Sequence, residues 1–380
     1  MAGALSIEEN GDKTMSYLVI LREHTGRGPV QDRRVIPAGG RSVRPRVVCA
    51  LVLAAAAVGH SGAAYASGSV LYGRIDLGLR NMKDVKAGAR SSDLHMDDSS
   101  RGRFGIKGEE DLGNGFKAFF QFENRFYGYS GEQDGEQLWK DKAWLGLEKE
   151  GMGSLRMGRM SSPINDRGVN GRFEAFDGNT LAGMGGRGAA QVTKWDNTLA
   201  LRSAYFGGFS ASAAYSFREG QDQKDAYGVS MEYMNQGWTV AVSWQQDTSE
   251  AKGGTPADHW QTAALAALYK TDAYRLYGIA AHSWDIGVTD KGRARTYTVG
   301  FGIPMGPGEA RASYQASMQR YMNGVDRRKD GQRHRLGVGY AYPLSKQTSV
   351  NVSVLHDRYQ DAAVGRNTGT GWEIALRKNF

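Results

Sequence analysis

The sequence predicts an all-β fold: a transmembrane antiparallel β-barrel of about 16 strands. Three observations predict it. Apolar and polar residues alternate along many segments, short and long connections alternate between those segments, and no long stretch has the apolar spacing of an amphipathic helix. A sheet with one apolar and one polar face needs lipid on the first and water on the second.

The first element of the chain resembles an export signal. Arginines precede the apolar run 47–58, and an Ala-Tyr-Ala sequence that ends at Ala66 offers a small-x-small cleavage site. The apolar run has about a dozen residues, short of the roughly 20 that a membrane-spanning helix needs. We expect an over-extended segment at 1–40, a signal peptide at 41–66 that is cleaved near Ala66, and a mature barrel at 67–380.

Composition limits the possible function classes. The chain has 48 Lys plus Arg and 40 Asp plus Glu, and cleavage after Ala66 would remove eight of the former and five of the latter. The mild basic excess that remains does not favour a nucleic-acid partner, which needs a concentrated basic patch. The only cysteine, Cys49, lies in the predicted signal, so the mature chain has no disulfide and no cysteine-ligated metal. No cofactor and no metal site are expected.

The strands are predicted from alternation with a period of two residues. Two such runs flank Asn114-Gly115 and form a hairpin whose apolar face carries Phe104, Phe120 and Phe122. The same alternation recurs in 71–80, 209–217, 238–245, 297–303, 336–342 and 350–354.

The connections give the number of strands. Short turns are predicted at 111–115, 150–153, 207–208, 235–237, 271–272, 304–308 and 343–347. Longer polar stretches are predicted to be loops at 83–100, 127–137, 161–197, 219–225, 247–258, 284–293, 319–332 and 359–368. These seven turns and eight loops separate sixteen strands, and an even number places both termini at one end of the barrel. We expect the turns to be periplasmic and the loops external.

A soluble β-sandwich is the alternative fold, and the polar face argues against it. That face is rich in Ser, Thr, Gly, Gln, Arg and Glu, so it offers no second apolar layer for a dry core. The apolar face must therefore meet lipid, where a sheet has to close so that every backbone group is paired. A closed sheet of about 16 strands encloses an aqueous channel.

Four blocks of residues resemble the general porins of Gram-negative outer membranes: 69–76, 100–115, Gly158-Arg159 and 372–380. The resemblance implies a homotrimer for passive diffusion of small hydrophilic solutes and ions, set in outer-membrane lipid and lipopolysaccharide. It also implies a third loop that folds inward and narrows the pore. Phe380 is similar to the terminal aromatic residue that the barrel assembly machinery recognises in this family.

The loop 161–197 is the expected constriction loop. It is rich in glycine, and Asp166, Glu174 and Asp177 give it negative charge. The facing basic wall is predicted from strand phase and, for the last of its members, from the resemblance: Arg74, Arg103, Lys107, Arg125, Arg156 and Lys194. Asp141 occupies another position that is basic in the family. Opposed rows of charge orient polar solutes, and arginine rows favour anions, so we expect a weak anion preference.

Other functions compete with a general pore. A substrate-specific channel, or an adhesin or structural barrel with a filled interior, would share the same strands. An outer-membrane hydrolase is disfavoured, because His356 and Ser353 are three apart on one strand and point to opposite faces. Asp97, Asp98 and Asp134 could share a calcium ion, although acidic residues in loops are more often solvated.

Protein sequencing of the exported chain tests the processing prediction. The mature N-terminus is expected at Ser67, because signal peptidase cleaves after a small-x-small sequence. A mature chain that retains residues before Ser67 would contradict the predicted signal.

Overall fold

The computed structural model describes residues 68–85, 94–184, 189–217, 225–248, 258–287, 291–320, 331–361 and 365–380. The predicted segments 1–40 and 41–66 lie outside these residues. The described strands form one antiparallel sheet. They are β1 Val70–Lys83, β2 His95–Asp98, β3 Gly102–Gly113, β4 Phe116–Phe126, β5 Lys142–Lys149, β6 Gly153–Ser161, β7 Lys194–Ser203, β8 Phe209–Ser216, β9 Ala226–Asn235, β10 Trp238–Thr248, β11 His259–Lys270, β12 Arg275–Ile286, β13 Gly292–Met305, β14 Gly308–Arg320, β15 Gln332–Pro343, β16 Thr348–Asp361 and β17 Gly365–Asn379.

The sheet closes on itself through β1. One edge of β1 pairs with β17, from Arg74 opposite Asn379 to Lys83 opposite Thr370. Its other edge pairs with both β2 and β3. The segments β2 and β3 therefore form one interrupted strand, and the barrel has sixteen strands as predicted. The seven predicted turns are also confirmed, and β1 begins at the same end of the barrel at which β17 finishes.

Some strands are longer at the loop end than the alternation predicted. Only 362–364 separate β16 from β17, where a loop at 359–368 was expected, and β2 lies within the predicted loop 83–100. Beyond the bilayer both faces of a strand can be polar, so the alternation is lost although the hydrogen-bonded ladder continues.

The two faces of the sheet differ as the sequence predicted. Leu71, Leu145 and Val299 are among many large apolar residues exposed on the outer surface. On the inner face, the carboxylate of Asp76 is fully buried and lies 2.8 Å from the guanidinium of Arg377. In the described part of the chain, no helix has the length and apolar character needed to cross a bilayer.

The third long loop, residues 162–193, connects β6 to β7 and folds into the barrel; we call it L3. It contains a single π-helical turn at Ile164–Gly168 and a 3-10 turn at Gly171–Phe173. The inward fold predicted for this loop is confirmed. Apolar L3 side chains pack on small residues of the inner wall, and the buried cluster contains Ile164, Val169, Phe173, Ala241, Ala264, Ala266, Ile279 and Ala281.

The distal part of L3 is fixed to the opposite wall by buried contacts. Leu181 and Met184 pack with Leu355 of β16. The backbone N–H of Leu181 donates to the Glu373 carboxylate at 3.1 Å, and the Ser99 hydroxyl donates to the same oxygen at 2.7 Å. These contacts hold residues 181–184 of L3 against the barrel wall.

The seam between the first and last strands contains a close contact between a glycine and an aromatic ring. Gly73 and Phe380 exchange backbone hydrogen bonds of 3.0 and 3.1 Å. A Cβ at Gly73 would lie 2.3 Å from the Phe380 ring and 2.7 Å from the Arg103 carbonyl oxygen. Only glycine leaves room for the ring at this point of the seam.

Substituting Gly73→Val should weaken barrel closure. The added side chain would displace the Phe380 ring, and overpacking of this kind costs about 1–3 kcal/mol of folding free energy. Urea unfolding of the detergent-solubilised barrel would measure the loss.

Gly278→Val is the matched control. A Cβ at Gly278, which is also in a strand, meets no atom within 4 Å. Valine is favoured in strands, so this variant should unfold at the wild-type urea concentration or above it. Equal stability of the two variants would contradict the proposed role of Gly73.

Candidate pore constriction

A cavity of about 610 Å³ lies between L3 and the barrel wall. L3 and the barrel wall both contribute basic residues to this cavity. Asp177 is the one carboxylate among the described residues that line it. The basic residues that line it are Arg74, Arg103, Arg172, Lys270 and Arg275. Arg74 and Arg103 belong to the predicted basic wall, and the Arg74 guanidinium donates to Asn179 of L3 at 3.1 Å.

Carboxylates behind the cavity balance part of this charge. Arg172 pairs with Glu232, and Arg275 lies 2.9 Å from Glu309. The Arg103 guanidinium lies 3.7 Å from Glu123. No carboxylate of the described residues lies within ion-pair distance of Arg74. The cavity therefore keeps an excess of positive charge.

The three acidic residues predicted for the loop occupy different environments. Asp177 lines the cavity with half of its side chain exposed, and its carboxylate is 4.0 Å from Arg311. Asp166 pairs with Arg202. Glu174 is fully buried, where it accepts a 2.7 Å hydrogen bond from Ser313, so its carboxylate holds L3 to β14.

A second group of charges surrounds Asp141, just before β5. Its carboxylate is 2.8 Å from Arg125 and 3.1 Å from Lys194, two residues of the predicted basic wall. Burial alone would raise the pKa of Asp141, but Lys194 and Arg125 outweigh burial and hold the pKa well below its usual range. Asp141 therefore neutralises part of the basic wall at any ordinary pH.

Lys107 and Arg156 complete the predicted basic wall, and they lie apart from both groups. The Lys107 ammonium is 5.5 Å from the centre of the Tyr72 ring. Arg156 lies in a separate recess at the root of L3, with its guanidinium 5.6 Å from the centre of the Trp144 ring. The structure thus divides the six predicted residues among four places on the inner wall.

The sequence profile of Gram-negative porins matches residues 50–362. The chain is a Gram-negative porin. It is similar to an outer membrane porin protein of Bordetella pertussis, with 28% identity over 79% of this chain and 91% of that protein. It is also 28% identical to outer membrane porin protein 32 of Delftia acidovorans, over 82% of this chain and 90% of that protein. These relatives are channel proteins of the outer membrane.

A solved structure shares the fold of this porin. The anion-selective porin from Comamonas acidovorans superposes with a TM-score of 0.70, covering 83% of this chain and all of that one at 24% identity.

Sequence reasoning missed three cations of the main cavity. Lys270 and Arg275 flank a predicted turn and have the inward strand phase, so the alternation held the signal that would have found them. Arg172 lies in L3, where no periodic pattern indicates which way a side chain points.

Among the described residues, no group of three or more metal-ligating side chains is placed to hold an ion. Asp97, Asp98 and Asp134 are paired instead with Arg80, Arg101 and Lys140, respectively, at distances of 3.1, 3.1 and 2.8 Å. The described geometry gives no support for a shared calcium ion.

Substituting Asp141→Asn should make the porin pass anions more readily. The change frees Arg125 and Lys194, and we expect the chloride-to-potassium permeability ratio to rise about two-fold. Because the pKa of Asp141 is depressed, the difference from wild type should be the same at pH 7 and pH 4. Reversal potentials in planar bilayers measure it.

The control is Glu150→Gln in the short turn between β5 and β6, which removes the same charge at a residue that lines neither the cavity nor the Asp141 group. It should leave the ratio unchanged. A difference that shrinks by about half near pH 4 would show that Asp141 titrates at its ordinary value.

Proposed function

We propose that this porin is a pore for passive diffusion of small hydrophilic solutes and ions, with a weak preference for anions. The observation that supports the preference is the cavity beside L3, where basic residues outnumber carboxylates. Each charge in the narrow section acts at short range on a passing ion, because little water remains there to screen it.

The proposed constriction opposes two sets of residues. On the wall, Arg74 and Arg103 attract anions, and arginine keeps its charge at any pH of interest. On the loop, Asp177 supplies the facing negative charge, so a transverse field orients polar solutes as they pass. An apolar solute would displace water molecules that this field orders and would form no hydrogen bonds in their place, so the constriction excludes it.

The remaining predicted wall residues have secondary parts in this proposal. Arg125 and Lys194 are partly neutralised by Asp141, which keeps the anion preference weak. Lys107 and Arg156 add positive charge to the inner wall outside the main cavity. Asp166 and Glu174 fix the loop rather than face the passing solute.

The Comamonas acidovorans porin, which has the same fold, is an anion-selective porin. Its 24% identity supports the architecture, and the preference here rests on this chain's own residues.

We infer the oligomeric state and the cellular location from membership in the porin family. We place the protein in the outer membrane as a homotrimer, exported by the signal at 41–66 and recognised by the barrel assembly machinery through Phe380. Exposed cations at the loop end of the outer face are suited to the phosphates of lipopolysaccharide: Arg293, Arg295, Arg358 and Arg366.

Reversal potential in a tenfold KCl gradient tests the preference. Arg103→Gln should lower the chloride-to-potassium permeability ratio about two-fold, because it removes one charge from the narrow section. Asp177→Asn changes the charge in the opposite sense and should raise the ratio. The pair controls for any general effect of substitution in the cavity.

Three outcomes would reject parts of this proposal. Clear cation preference of the wild-type pore would reverse its sign. Bilayers without stepwise currents would favour the adhesin or structural barrel. Strong discrimination among solutes of equal size and charge would favour a substrate-specific channel.

A further inference from the structure

A second recess opens on the inner wall where L3 leaves β6. Its volume is about 240 Å³, and it shares no lining residue with the main cavity. At roughly 30 Å³ per water molecule, it has room for about eight waters or one small organic molecule. Wall strands β4 to β8 and the root of L3 enclose it.

The floor of this recess is apolar, which is unusual for the wall of an aqueous pore. Trp144, Met160 and Ala200 form a buried cluster there, with Phe119 and Ala214 packed against it. The Phe119 and Trp144 rings meet edge to face at 5.3 Å between centres. Only the edges of these side chains reach the recess, since Trp144 is 9% exposed and Met160 4% exposed, and a solute that covers the edges removes them from water.

Arg156 places a positive charge beside this floor. Its stem lies flat over Gly146, since a Cβ there would come within 3.0 Å of Arg156 Cγ. Its Nε is buried and has no hydrogen-bond partner. Within the described part of the chain, Arg156 forms no hydrogen bond or ion pair, and its guanidinium lies 5.6 Å from the centre of the Trp144 ring.

The other charges at the recess already have partners. Asp166 lines it but pairs with Arg202. Lys142 also lines it, and its ammonium lies 3.1 Å from Glu123. Among the described residues that line the recess, Arg156 is therefore the cation that forms no ion pair with a carboxylate, and Asp166 acts on it only at longer range.

We propose that this recess is a binding site for amphipathic monoanions, namely carboxylates with a compact aromatic or aliphatic body. The carboxylate accepts hydrogen bonds from the terminal nitrogens of the Arg156 guanidinium. The body packs against the exposed edges of Trp144 and Met160, and removes that apolar surface from water. A small inorganic anion gains only the first interaction, and a neutral ring gains only the second. The proposal rests on the chain being a pore and is independent of the pore's anion preference.

Benzoate is the probe, and acetate and benzamide are its matched comparisons. The full-length porin is placed in planar bilayers, and each probe is added to a constant chloride background. Benzoate should reduce the current in a saturable way, with an apparent affinity about ten-fold higher than acetate or benzamide, because only benzoate makes both interactions.

Two variants separate the two interactions. Arg156→Gln should lower the apparent affinity for benzoate about ten-fold and leave the affinity for benzamide unchanged, because it removes the charge. Trp144→Leu should lower the apparent affinities for benzoate and benzamide by the same factor and leave the affinity for acetate unchanged. Lys117→Gln is the control, since it removes one positive charge from β4 outside both the recess and the main cavity; the affinity for benzoate should stay within about two-fold of wild type.

The same bilayers report whether each variant forms a pore, so a failure to fold is distinguished from a failure to bind. Block that does not saturate, or benzoate affinity unchanged in both recess variants, would overturn the site. Equal competition by chloride or phosphate would show a plain anion site and overturn the amphipathic class. Reversal potentials recorded in parallel test the anion preference separately, so either proposal can fail while the other stands.

Discussion

The structure depends on one constraint: in hydrocarbon, each backbone N–H and C=O must find a partner within the protein. The barrel meets this constraint by pairing β17 with β1, so that the described sheet has no free edge. Closure fixes which face meets lipid and which encloses water. The inner face is then free to be polar, and the charges that act on solutes can be placed on rigid strands instead of mobile loops.

The barrel interior is not filled by water alone, because L3 packs on the inner wall through a small hydrophobic core. Alanines on β10 to β12 leave space for Ile164, Val169 and Phe173, and glycines on β15 receive Phe176 and Ala182. The buried carboxylates of Glu373 and Glu174 complete the attachment through hydrogen bonds. Dry packing thus holds the loop in place, and the charged side of the loop is left to face the channel.

The sequence predicted the barrel well for a physical reason. A strand has a period of two, so alternation alone placed Phe104 outside and Arg103 inside, and the turn residues supplied the strand count. L3 has no such period. Nothing in its sequence distinguishes Asp177, which faces the cavity, from Glu174, which is enclosed. The partners of Asp141 come from β4 and from the first residue of β7, and the alternation does not predict long-range pairs of this kind.

The seam also has a consequence for the order of assembly. The ion pair between Asp76 and Arg377 joins positions 301 residues apart, and Phe380 covers Gly73 beside it. These contacts bring together the two extremes of the ladder, so they form after nearly all of the chain has been synthesised and transported. Until that moment the first strand carries an unpaired edge that can join another polypeptide. A cell that makes this protein must therefore shield the open sheet while it crosses the periplasm.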